Sequence, residues 1–205
     1  KKSIQLVITF SIPILFFILG VSNHLIFAFA GPHYEKAGFV LVITSFLCLI
    51  IGLSNVFGMQ IITPKAKDKY LTISVLVGGV VSLVLNLILI PILKERGAAI
   101  SQLTTELTVT MMVYYFSKKL LNFSMEWKYL LNTILISLPI LAFPFIIEKG
   151  IDNQWLILIL SMVFTVMYYF IVQLKVFKNI YLVELLKLIK LFHLNACVNF
   201  LSGIF

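Results

Sequence analysis

Glu106 is the residue whose type and position could do the most chemistry. It is the single formal charge in the run Gly97–Ser117. A carboxylate at that depth in a membrane costs about 3 kcal/mol when it faces lipid, so it must face a bundle interior or a wet cavity. A helix starting near Gly97 and rising 1.5 Å per residue puts it about 14 Å in, close to a bilayer midplane. The same helix offers Ser101, Gln102, Thr104, Thr105, Thr108 and Thr110, and Gln102, Glu106 and Thr110 stack at i, i+4 spacing. Such a group could gain and lose a proton in a working cycle, or line a polar path. The structural alternative is a protonated carboxyl hydrogen-bonded to a neighbouring helix.

Other polar residues in apolar surroundings are Asn55, Gln60 and Asn86. Amides of this kind often join helices, contributing about 0.6 kcal/mol each. Asn55 and Asn86, with Gln102, Thr105 and Glu106, make up the candidate path or coupling residues. His24 reads as an interfacial or hydrogen-bonded polar residue. The pairs Ser54/Gly58, Gly78/Ser82 and Gly97/Ser101 have the small-xxx-small spacing that allows close helix packing. No GxxxxGK[ST], HExxH or GxSxG motif is present, and the three histidines are scattered. Cys48 and Cys197 belong to no CxxC or Cys/His cluster. No catalytic residue, metal site or cofactor is expected.

The elements that position these residues follow from composition. Hydrophobic residues make up 61% of the chain and charged residues 12%, against about a quarter charged in a soluble domain. Uncharged runs cover Ser3–Pro32, Ala37–Pro64, Tyr70–Leu93, Tyr129–Ile147 and Asn153–Leu174, each long enough to span a bilayer as a helix. With Gly97–Ser117 they predict an all-α polytopic membrane protein: a bundle of six transmembrane helices at about 4–30, 36–63, 69–93, 97–118, 128–147 and 153–174. Pro13 is expected to kink the first. Connectors are short, so successive helices are antiparallel neighbours. The tail 175–205 is separate. Phe177, Tyr181, Leu185, Leu188 and Phe192 fall on one helical stripe with lysines opposite, as in a helix lying in the interface or packed on the bundle's end.

Charge fixes the expected orientation. With six crossings, one side carries Lys1, Lys2, Lys65, Lys67, Lys69, Lys118, Lys119, Lys128, Lys175, Lys178, Lys187 and Lys190, and the other only Lys36, Lys94, Arg96 and Lys149. Twelve against four places the N-terminus and tail in the cytoplasm. The net charge of +8 then reports topology and contact with anionic membrane lipids. Nucleic-acid binding is not needed to explain it.

The loop FAGPHYEKAG (Phe29–Gly38), SNVFGMQ (Ser54–Gln60), NLILIP (Asn86–Pro91) and RGAAIS…TE (Arg96–Ser101, Thr105–Glu106) occur in that order. Over about Gly31–Lys119 the chain thereby resembles the bacterial O-antigen and capsule repeat-unit flippases. These are the polysaccharide transporters of the multidrug/oligosaccharidyl-lipid/polysaccharide exporter superfamily. The resemblance implies a two-lobe transporter in the bacterial cytoplasmic (inner) membrane, with this chain as its C-terminal six-helix lobe beside an N-terminal lobe. It implies translocation of undecaprenyl-diphosphate-linked oligosaccharide units by alternating access. The family's cationic cavity residues have no counterpart in these spans, so the resemblance places them in the other lobe.

Within transport the alternative is a multidrug or lipid II exporter. A single membrane carboxylate, with no acid pair, counts against drug export, and the missing cavity cation counts against lipid II. A membrane-bound enzyme of polysaccharide assembly would need a large outer loop, and every loop here is short. A non-catalytic membrane scaffold is the remaining class. The chain opens on Lys1 and has no signal-peptide pattern, which is expected of a piece of a longer protein.

Overall fold

The computed structural model describes residues 2–123, 126–151 and 153–173. They form eight α-helices: α1 (Lys2–Ala30), α2 (Glu35–Ser45), α3 (Leu47–Phe57), α4 (Asp68–Leu93), α5 (Glu95–Leu120), α6 (Trp127–Ser137), α7 (Ala142–Glu148) and α8 (Gln154–Val172). No strand occurs among the described residues. The protein is an all-α polytopic membrane protein. The stripe 175–205 predicted to be amphipathic lies outside the described residues.

Two of the expected spans are composites. The span at 36–65 breaks at Phe46 into α2 and α3, followed by a π-helical turn Gly58–Ile62 and a 3-10 turn Thr63–Lys65. The hydroxyls of Thr44 and Ser45, just before the break, donate back to the carbonyls of Val40 and Val42 at 3.0 and 2.7 Å. Such back-bonding competes with the helix ladder and bends it. The span at 127–148 breaks at a 3-10 turn Leu138–Leu141, where Pro139 lacks the N–H that would continue the ladder. By contrast, α1 runs unbroken through Pro13.

Among the described residues five segments are long and apolar enough to cross a membrane: Lys2–Ala30, Lys36–Lys65, Asp68–Leu93, Trp127–Glu148 and Gln154–Val172. The sequence leads to an expectation of six; the helix outside this set is α5, diluted by its hydroxyls, Gln102 and Glu106. Yet α5 matches α4 at 26 residues each and runs antiparallel along it. Gly97 lies against the Leu89 backbone, the Ser101 hydroxyl points to the Ser82 carbonyl at 3.5 Å, Gly78 seats Val109, and Tyr70 stacks on Phe116. The two helices are therefore in register from end to end, and theirs is the most extensive interhelix contact in the fold.

The chain divides into two compact units, the first ending at Val163 and the second beginning at Phe164. In the first, α1 touches α2, α3, α6 and α7, while α5 packs against α2, α3 and α4. Ile4, Ile8 and Ile12 make one stripe of α1 and meet Val56, Phe57, Ile62 and Val113 in a buried cluster. Phe57 stacks on Phe123, and its carbonyl accepts from the buried Ser117 hydroxyl at 2.9 Å. On the outside of α4, Leu76, Val80, Leu83 and Leu87 are all more than 60% exposed. Such a stripe would be a liability in water and is ordinary against lipid. In the second unit, Gln173 donates to the Tyr169 hydroxyl at 2.7 Å.

Candidate functional site

Three helices supply the polar side chains of one cavity. Ser54 and Asn55 come from α3, Ser82 from α4, and Gln102, Thr105 and Glu106 from α5. The space is about 440 Å³, within the range of about 300–1,000 Å³ usual for small-ligand pockets. Glu106 is the twelfth of the 26 residues of α5, about 17 Å along a helix about 39 Å long. The cavity is therefore at mid-height. No lysine or arginine lines it, and Glu106 is its only formally charged residue.

Glycines make the room. Gly78 of α4 seats the Val109 side chain of α5, and a Cβ on Gly58 would stand 2.9 Å from the Leu71 side chain, so at these points side chains pack directly on glycine backbone. Gly79 also lines the cavity and has nothing within 4 Å of where its Cβ would be. The π-helical turn begins at Gly58, and Gly58 and Met59 line the cavity from it. Single π turns inside helices occur frequently at functional sites.

The hydroxyl-rich face of α5 divides into separate tasks. Thr104 and Thr108 donate to the carbonyls one turn back, both at 2.8 Å. Ser101 and Thr110 reach backbone carbonyls of other helices, Ser82 in α4 and Ile50 in α3. That leaves Gln102, Thr105 and Glu106 for the cavity. The stacked line of Gln102, Glu106 and Thr110 is half realised: Gln102 Nε2 donates to Glu106 Oε1 at 3.3 Å, while Thr110 turns to Ile50. The hydrogen bond of Glu106 thus stays within α5, whereas a helix-joining carboxyl would reach across to a neighbour. Thr105 is 9% exposed, and its Oγ1 has no hydrogen-bond partner.

Asn55, Gln102, Thr105 and Glu106 are therefore brought together. Asn86 is not among the lining residues; its Nδ2 donates to the Ser82 hydroxyl at 3.3 Å, so it touches the site through Ser82. Gln60 is exposed within the π turn. Sequence reasoning missed Ser54, Ser82 and Gly79. The spacings Ser54/Gly58 and Gly78/Ser82 were the available signal, and packing explains only part of them, because small residues also leave space.

Away from the cavity, His24 Nδ1 lies 2.7 Å from Gln154 Oε1, and its Nε2 lies 3.7 Å from Glu148. It joins α1 to both ends of the α7–α8 connection, the hydrogen-bonded role the sequence predicts. Near the α4–α5 turn, the Arg96 guanidinium sits 4.8 Å over the Phe39 ring. At the other end of α5, Lys65 Nζ donates to the Leu120 carbonyl at 2.7 Å, a favourable place for a cation. Among the described residues no three of His, Cys, Asp or Glu gather as a metal site would require.

Comparison with known proteins gives a partial likeness. The chain is 40% identical over 86 residues to a protein of Escherichia coli (strain K12) named "Putative O-antigen transporter". Over this stretch the chain is related to that protein. The matched residues are 42% of this chain and 21% of the relative, so the chain spans about a fifth of the relative's length. No protein-family model and no solved structure matches the chain.

Proposed function

We propose that this chain forms one lobe of a transporter for lipid-linked oligosaccharides, with the cavity of α3, α4 and α5 as part of the inner wall of its path. The observation that carries this reading is the cavity's exposed polar rim at mid-height. Asn55 and Gln102 are exposed there. Polar and ionisable groups at that depth cannot face lipid without a large cost. The face is therefore covered by water or by a second lobe, and α5 spans beside α4 although it is the most polar of the helices.

Relatedness to a protein named for O-antigen transport supports this function over drug or lipid II export. The cargo is an undecaprenyl-diphosphate-linked repeat unit, moved across the bacterial cytoplasmic membrane from inner to outer leaflet. The lobe performs no bond chemistry. It presents polar groups to the cargo while the lipid tail stays in the bilayer. Its lysine-rich ends face the cytoplasm and meet anionic lipids there, and the diphosphate is met by cations of the partner lobe.

The test is genetic. Removal of the full-length gene from its host should abolish surface polysaccharide and cause lipid-linked units to accumulate, with both restored by the wild-type gene. Unchanged surface polysaccharide in the deletion strain refutes the proposal.

A further inference from the structure

We infer that the cavity of α3, α4 and α5 is a subsite for a neutral, hydroxyl-rich ring, a sugar of the cargo, and not for its phosphates. This assignment rests on the reading of the chain as a wall of an oligosaccharide path.

The donors and acceptors carry the argument. A sugar hydroxyl donates one hydrogen bond and accepts others, so its best partners are groups that accept strongly or do both. Glu106 offers carboxyl oxygens that accept. Asn55 and Gln102 each carry an amide that donates and accepts, and Ser54, Ser82 and Thr105 carry hydroxyls. Gln102 already donates to Glu106, which fixes the carboxylate and leaves its second oxygen for a ligand. The Thr105 Oγ1 is buried and unpartnered. A buried polar atom in that state costs about 1–3 kcal/mol, a cost that a ligand hydroxyl would remove once the Thr105 side chain rotates towards the cavity. Ile51, Val75 and Val109 supply apolar surface for the C–H faces of a ring.

A phosphate fits none of this. It would meet no lysine or arginine, so its charge would go uncompensated in a medium of lower dielectric than water. The volume of about 440 Å³ also suits one or two rings better than an extended chain.

The experiment uses the full-length protein purified in detergent, with Cys48 and every other cysteine replaced and Ser54→Cys introduced. The rate of its alkylation by N-ethylmaleimide is measured with glucose, galactose, rhamnose or N-acetylglucosamine, and separately with inorganic pyrophosphate. At least one sugar should slow the reaction, by about threefold at twice its dissociation constant, and pyrophosphate should not. Leu83→Cys, on the apolar stripe of α4, should react at the same rate throughout. Glu106→Gln should raise the sugar concentration needed for protection about tenfold, the loss of about 1.4 kcal/mol. Met59→Cys, an exposed lining position, serves the same purpose where Ser54→Cys does not fold.

Protection by pyrophosphate alone, or by no probe, overturns the subsite. If the wild-type protein restores surface polysaccharide to a flippase-deficient strain while no sugar protects, the subsite fails and the transporter reading stands. If a sugar protects but polysaccharide is not restored, the transporter reading fails and the sugar site stands.

Discussion

Gln102 donates from Nε2 to Oε1 of Glu106 at 3.3 Å, one turn further along α5, and both side chains line the same cavity. The pair holds a carboxylate at mid-height without a bond to a neighbouring helix. This arrangement separates a carboxyl that serves the cavity from one that serves packing.

Glu106→Gln tests that separation. The substitution keeps size and most hydrogen bonding, so protein abundance in the membrane should stay near wild type. Surface polysaccharide made by the full-length variant should fall about tenfold, equivalent to roughly 1.4 kcal/mol of lost transition-state stabilisation. A packing role predicts the reverse: a normal Glu106→Gln and a poorly accumulating Glu106→Ala. Immunoblotting alongside polysaccharide staining reads both, and full activity of Glu106→Gln removes the residue from the path.

Gly97→Ala should damage the fold rather than the cavity. A Cβ there would collide with the backbone of Leu89, its carbonyl oxygen first, and backbone cannot swing aside as a side chain can. Overpacking of this kind costs about 1–3 kcal/mol. The thermal midpoint of the purified variant should drop by several degrees, about what that energy implies. An unchanged midpoint would mean that the α4–α5 contact is looser than described.

Orientation can be read with single cysteines. Lys67→Cys and Lys119→Cys, both exposed at one end of the bundle, should resist an impermeant maleimide added to intact cells. Glu95→Cys, exposed at the α4–α5 turn, should react. Labelling at position 67 from outside would invert the topology. Labelling at 119 but not 67 would mean that α5 does not span.

The sequence made the spans legible because an uncharged run of hydrocarbon length has few other uses. The breaks were harder to see. Phe46 is an ordinary helix residue, and the bend depends on where the Thr44 and Ser45 hydroxyls turn, which composition does not specify. The grouping of Asn55, Gln102, Thr105 and Glu106 was visible as polarity within apolar runs. Its third dimension was not, since register between helices decides that Ser82 faces the cavity while Asn86 sits behind it. The α5 hydroxyls show the same limit: six serines and threonines share one helix, and only neighbouring helices determine that Thr104 and Thr108 bond back to α5 itself.

The central claim, that the cavity lies on the path of the cargo, is tested most directly by Gly79→Trp. A side chain at Gly79 meets open space on the cavity wall, so the indole should fill the cavity and leave the fold intact. Full-length wild-type and variant proteins are reconstituted into liposomes containing an undecaprenyl-diphosphate-linked oligosaccharide. Its movement between leaflets is followed by accessibility to an impermeant glycosidase. Wild-type protein should expose inner-leaflet cargo well above the rate of empty liposomes, and Gly79→Trp should cut that rate by about tenfold or more, a rise of at least roughly 1.4 kcal/mol in the barrier. Equal rates for the wild type and a well-folded Gly79→Trp variant would contradict the account.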